Sequence, residues 1–346
     1  MKKIAKDNWT KLYTVISASY PLYLPVRKGG QLNYAPWEEG CEADIETLKT
    51  LKSPKTFFLP QVENIYTASL EGKKIKIETQ PFIDKQFVLF GVKGCDVKGV
   101  EVLDSVFLSH PVDKFYQARR EHGTIVSLAC SDPRATCFCK PFGIDASKPA
   151  GDVVTWISPD GWLYWNAQTE KGQKLTDFLL SAGLFEDADE ADVQKMEKEI
   201  QEKINALPYS SGLPLDVFST EHLLDFFNSP EWDSLHHACK ACGTCTFICP
   251  TCQCYDIKDF SAGKSVIHYR CWDSCMYSDF TLMAHGNPRK TQKERFRQRF
   301  MHKLVYHQEK HKGEFSCVGC GRCVNQCPSS LNIVKVIKSL GGSANV

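Results

Sequence analysis

The sequence predicts an α+β protein in two parts, a mixed α/β domain over residues 1–215 and an α-helical, cysteine-rich domain over residues 216–346. Three observations predict it. Short runs of β-branched and aromatic residues alternate with helical stretches in the first half. A charge-laced helical pattern followed by the linker-like string SSGLP at 210–214 closes that half. The last third carries two copies of one cysteine signature.

Residues 56–59, 74–78, 87–91, 124–129 and 153–158 are the expected strands, and Ser158-Pro159-Asp160-Gly161 is a turn into a further run at 162–165. Residues 96–107 read as a helix, because Val97, Val100, Leu103, Val106 and Phe107 share one face. No G-x-G-x-x-G and no G-x-x-x-x-G-K-S/T string occurs, so no dinucleotide or nucleoside triphosphate site is indicated. From Gly172 the pattern turns helical, and the amphipathic stretch at 189–207 stops at Pro208. Ser229-Pro230-Glu231 supplies an N-cap and a proline at the first helical position of a helix leading into Cys239. Residues 250–316 separate the two cysteine motifs and are read as a helical insertion. Within it, Phe296, Phe300 and Leu304 recur every fourth residue among basic side chains. The expectation there is a helix packed by its apolar stripe, with a solvated basic face suited to docking an acidic partner.

The cysteine motifs carry the chemistry. CKACGTCTFICP and CVGCGRCVNQCP both follow C-x2-C-x2-C-x3-C-P, the bacterial ferredoxin spacing for cubane iron–sulfur clusters. Three closely spaced thiolates wrap one face of a cluster, and the fourth, carried away by the following turn, ligates the other cluster. Cys239, Cys242, Cys245 and Cys327 are therefore assigned to one 4Fe-4S cluster, and Cys317, Cys320, Cys323 and Cys249 to a second. The second half is thus expected to be an α-helical, ferredoxin-like dicluster domain. Structural zinc needs only two pairs of thiolates, and disulfides are foreign to so dense a pattern in a chain without an export signal.

Nine of the seventeen cysteines remain. Cys95, Cys130, Cys137 and Cys139 each follow an expected strand or lie in the turn-rich segment after one, and they are assigned to a third iron–sulfur cluster. Cys137 and Cys139 cannot both bury on one strand face, yet both can reach one cluster from a loop. Cys252, Cys254, Cys271 and Cys275 are candidates for a fourth centre, iron–sulfur or zinc, with packing or S–H donation to the neighbouring cluster as the alternative. Cys41 is left without a role. The ten histidines show no H-E-x-x-H spacing, although His236-His237 lies close enough in sequence to Cys239 to tune its cluster.

Composition excludes other classes. A net charge of +1 offers no global field for nucleic acid or a membrane surface, and 42% hydrophobic with 24% charged residues is ordinary for a globular protein. No apolar run reaches the roughly 20 residues of a membrane helix, and the interrupted N-terminus makes a poor signal peptide. A cytoplasmic protein is expected.

LFGVKGCD at 89–96, YQARRE at 116–121, CSDPRATCFC at 130–139, CGTCTFICPTCQCYD at 242–256, WDSC at 272–275 and NPR at 287–289 together resemble the beta subunit of soluble hydrogenase/sulfur reductases and the A subunit of anaerobic sulfite reductase. Cys271 falls outside that family pattern. The resemblance implies an iron–sulfur electron-transfer subunit of an anaerobic complex. Such a subunit sits between a flavin subunit using NAD(P)H and a catalytic partner, whether hydrogenase, sulfite or sulfur reductase, or bifurcating transhydrogenase. No acid–base or nucleophilic constellation is visible, so catalysis is expected in a partner. The rival is a self-sufficient reductase carrying its own flavin in the first domain.

Overall fold

The computed structural model describes residues 1–47 and 49–343. An eight-stranded mixed sheet runs Glu186–Asp187, Lys2–Ala5, Trp162–Ala167, Val153–Ile157, Gly123–Leu128, Phe87–Val92, Leu22–Lys28 and Gln31–Pro36. Its fourth to seventh strands, from Val153–Ile157 to Leu22–Lys28, are parallel neighbours. FVLFGV is buried at every position, as a strand covered on both faces must be. Val88 and Phe90 enter one core with Leu12 and Ile16 of the helix Trp9–Ser19 and with Leu175 and Leu179 of the helix Glu170–Leu180. Phe87 and Leu89 enter the opposite core with Val97, Val100 and Leu103 of the helix Gly94–Phe107. The mixed α+β character of the chain follows from these layers. The carboxyl ends of Phe87–Val92 and Gly123–Leu128 then deliver Cys95 and Cys130 to one edge of the sheet, where open α/β sheets bind their ligands.

Three expectations change. Residues 56–59 are not a strand: Pro54–Phe57 is one turn of 3-10 helix, started by Pro54, and Phe58 and Leu59 follow it into the core. Nor is the insertion wholly helical. Tyr255–Ala262 and Ser265–Trp272 form an antiparallel hairpin that turns at Gly263, where φ is +61°. Its second strand pairs with Val62–Glu71, which pairs in turn with Lys74–Thr79. This four-stranded sheet draws two strands from each side of residue 215. YDIKDFSA and SVIHYRCW are alternating and β-branched or aromatic, so their local preference is for strand. Arg270, 5% exposed, anchors the sheet by donating to Glu63 at 2.7 Å and pairing with Asp113.

The third change concerns the basic helix. Gln292–Met301 begins at a Thr291–Glu294 capping box and continues through a π-helical turn, His302–Tyr306. Phe296, Phe300 and Leu304 pack with Trp232, Val336 and Ile337 into a separate core, as the apolar stripe predicts. The basic face is not solvated. Arg299 and Lys303 are 2% and 3% exposed, Arg295 donates to the carbonyls of Met276, Arg289 and Lys290, and Arg297 stacks on Phe227. Arg299 and Lys303 face the cysteines, and the expected docking face is lost with them. Among the described residues no helix is long and apolar enough to cross a membrane.

Candidate metal centres

The two cysteine motifs fold as matched loops. Backbone φ is positive at Ala241 and Gly243 in the first, and at Gly319 and Gly321 in the second. Gly243 and Gly321 then cap one-turn helices, Thr244–Phe247 and Arg322–Asn325, that carry Cys245 and Cys323. Left-handed residues in such loops turn successive backbone N–H groups inward, making a concavity for an anionic cluster. The hydrogen bonds match too. Ala241 N–H donates to Cys239 Sγ at 3.4 Å, and Gly319 N–H donates to Cys317 in the same way. Cys242 and Cys320 likewise accept from the backbone of Thr244 and Arg322.

The fourth cysteines cross over. Cys327, from the second motif, lines one cavity with Cys239, Cys242 and Cys245 of the first. Cys249, from the first motif, faces Cys317, Cys320 and Cys323. Burial pushes the Cys317 thiol up to about 12, because a thiolate in a low-dielectric interior is costly until a metal replaces the proton. Cys323 shares the wall of the first cavity, which brings the two sets into contact.

Cys95, Cys130, Cys137 and Cys139 line a second cavity at the carboxyl edge of the large sheet. Cys95 lies in the first turn of Gly94–Phe107, and the other three come from the segment after Gly123–Leu128. Burial pushes Cys130 to about 11 and Cys139 to about 12. Cys320 of the second motif lies in the same wall. The joint is backbone-tight: Phe138 N–H donates to the Gly319 carbonyl at 2.8 Å, and Cys137 Sγ lies 3.8 Å from the Cys320 carbonyl oxygen. Cys239, Cys242, Cys245 and Cys327 surround one cavity and Cys95, Cys130, Cys137 and Cys139 another, an arrangement that suits a cubane.

The remaining thiols are arranged differently. Cys252 contacts Cys249, and Cys254 contacts Cys275, thiol to thiol. The Cys252 contact, against the opposing effect of burial, holds Cys249 well below its ordinary value, with Lys303 and Arg299 adding to it. Cys271 stands apart on Ser265–Trp272, among Lys258, Asp256 and Asp273. The structure thus gathers Cys252, Cys254 and Cys275 but separates Cys271 from them. No group of three or more His, Cys, Asp or Glu among the described residues is arranged for a single metal ion. Cys41 lines a separate pocket with Trp9, Tyr13 and Trp37. His236 Nδ1 bonds the Trp232 carbonyl at 2.8 Å and its ring lies tilted against His237, while its link to Cys239 runs through the backbone, where Cys239 N–H donates to the His236 carbonyl at 3.0 Å.

Several residues around the thiols carry no motif. Asp96 and Arg322 form a buried bidentate pair, at 2.5 and 2.7 Å, between the helix of Cys95 and the helix of Cys323. Gly99 lies where a Cβ would strike Pro250, so the same helix also backs the Cys-Pro turn of the first motif. Arg299 Nε donates to Cys245 Sγ at 3.0 Å, and Lys303 Nζ donates to Thr251 Oγ1 at 2.8 Å. The string GCDVKG at 94–99 holds Asp96 and Gly99 close to Cys95, but their partners lie over a hundred residues away.

Comparison with known proteins agrees with this geometry. Residues 238–331 match the model of a 4Fe-4S dicluster domain. Over 338 residues, 97% of this chain and 96% of the relative, the sequence is 33% identical to sulfhydrogenase 2 subunit beta of Pyrococcus furiosus. No solved structure matches the chain.

Proposed function

The chain belongs to the hydrogenase/sulfur reductase beta-subunit family, an iron–sulfur electron-transfer subunit, and we propose that it relays electrons through three 4Fe-4S clusters between a flavin/NAD(P)H subunit and a catalytic partner. The observation that carries this reading is the continuity of the three thiol sets. Cys320 stands in the wall of the Cys95, Cys130, Cys137 and Cys139 cavity, and Cys323 in the wall of the Cys239, Cys242, Cys245 and Cys327 cavity. The Cys317 set therefore lies between the other two. Each cluster, when bound, exchanges one electron at a time. The protein's own part is to hold the thiols in sets, exclude water and fix the spacing through the Phe138–Gly319 joint. Exposed Cys242 brings the first set to the surface, where a partner's cofactor can approach. Two domains, 1–215 and 216–346, remain the proposed division, with the small sheet bridging them.

The partner is a hydrogenase, a sulfite or sulfur reductase, or a transhydrogenase, and hydride chemistry belongs to its flavin, because a flavin can split a hydride into single electrons. The purified chain alone should take electrons from a one-electron dye and return them, yet show no oxidation of NAD(P)H. Activity should appear when a flavin-bearing partner is added. Sustained NAD(P)H oxidation by the isolated chain would instead establish the self-sufficient flavin reductase.

A further inference from the structure

Most charged side chains buried in this fold have a partner of opposite charge. Arg270 has Glu63 and Asp113, and Arg322 has Asp96. Arg299 and Lys303 do not, and neither does Lys55, which donates to the Cys252 carbonyl at 2.7 Å and lies over the Trp272 ring. Among the described residues neither Arg299 nor Lys303 has a carboxylate within ion-pair distance, and Arg299 Nη1 has no hydrogen-bond partner at all. Burying an uncompensated cation costs several kcal/mol, and here two lie four residues apart on one helix face. Something anionic must lie against them. Among the described residues, the groups of opposite sign that bear on them are cysteine sulfurs.

We propose that Arg299 and Lys303 are fixed counter-charges of the cluster core, positioning residues that raise the reduction potentials of the Cys239 and Cys317 sets. The inference rests on the electron-carrier reading above. Arg299 donates to Cys245 Sγ at 3.0 Å and also faces Cys323 and Cys249, so one guanidinium serves both sets. Lys303 faces Cys249 and Cys317, with Cys252, which belongs to neither set, beside them. Its ammonium donates to Thr251 Oγ1 at 2.8 Å, and that hydroxyl stands 3.2 Å from Cys249 Sγ. The sign follows from charge. Reduction adds an electron to an already anionic unit of four thiolates and a cubane, and a nearby cation stabilises the reduced form more than the oxidised one. N–H donation to a ligating sulfur acts in the same direction. The π-helical turn His302–Tyr306 carries Lys303, in keeping with the frequent occurrence of such turns at functional positions.

The test is a redox titration of the anaerobically purified full chain, followed by electron paramagnetic resonance, with iron and sulfide counted on every sample. Lys303→Met and Arg299→Gln should each shift the reduction equilibrium of the affected centres at least tenfold toward the oxidised form, ~59 mV for one electron. Lys303→Arg and Arg299→Lys should hold the wild-type potentials. The Cys95, Cys130, Cys137 and Cys139 set should not move, because neither cation is among the charges that bear on its sulfurs. Loss of iron in the neutral variants but not in the charge-conserving ones also supports the counter-charge role. Loss in both kinds would assign these residues to shape alone, and full iron with unchanged potentials would overturn the inference. Absence of cubane iron from the wild-type chain would instead count against the electron-carrier reading.

Discussion

Asp96→Ala is expected to destabilise the protein by about 3–5 kcal/mol, the range for stranding one partner of a buried ion pair. The Asp96 and Arg322 side chains are 0% and 3% exposed, so solvent screens neither. Arg322 is held by two parallel bonds to Asp96, with Thr50 Oγ1 at 2.9 Å and the Thr50 carbonyl at 3.3 Å as its remaining partners. Without the carboxylate, a guanidinium stays buried beside Cys320 at the joint between two thiol sets. The unfolding midpoint of the holoprotein should fall accordingly, and iron should be lost first from the Cys95 and Cys317 sets. Pairing Asp96→Ala with Arg322→Met should recover much of the stability, because removing both charges removes the uncompensated one. No recovery in the double variant would show that the pair matters through its shape.

Gly319→Ala should be nearly as severe, for a different reason. Gly319 has φ +57°, and an added Cβ would come closer than 3.0 Å to the carbonyl oxygen of Phe138 and to the amide nitrogen of Cys139. Backbone strain alone costs of order 1–3 kcal/mol. The collision adds to it, since both opposing atoms are backbone and cannot rotate away. Either the Phe138–Gly319 hydrogen bond breaks or Cys139 leaves its place. The expected result is a holoprotein short of the iron of the Cys95 set. Gly313→Ala is the control: φ is +81° there, but nothing lies within 4 Å of the added Cβ, so a cost of about 1 kcal/mol and full iron are expected. Equal losses at the two glycines would mean that the joint does not depend on close approach.

The cysteine sets were legible because ligand spacing is local. C-x2-C-x2-C-x3-C-P predicts both the grouping of the thiols and the crossing of the fourth, and the structure places Cys327 beside the first three and Cys249 beside the second three. The Cys95, Cys130, Cys137 and Cys139 set was legible from position alone, each thiol just past a strand end or in the following loop. The strands at 74–78, 87–91, 124–129, 153–158 and 162–165 form within two residues of those bounds. What local pattern could not supply was the identity of the neighbour. Arg299 and Lys303 look like a solvated basic face because basic residues usually are solvated; only the fold puts sulfur against them. Cys271 reads as a ligand by counting, but it lies on a strand whose register sets it opposite Asp256, with Lys258 nearby. The hairpin at 255–272 has strand periodicity and a glycine turn, and its pairing with Val62–Glu71 depends on a contact across nearly two hundred residues.

The central claim is a three-cluster relay, and counting metal tests it most directly. Chain purified without oxygen and fully reconstituted should contain about twelve iron atoms with matching acid-labile sulfide, and should take up about three electrons in a reductive titration. Eight irons or fewer, with Cys95, Cys130, Cys137 and Cys139 still open to thiol alkylation, would contradict it.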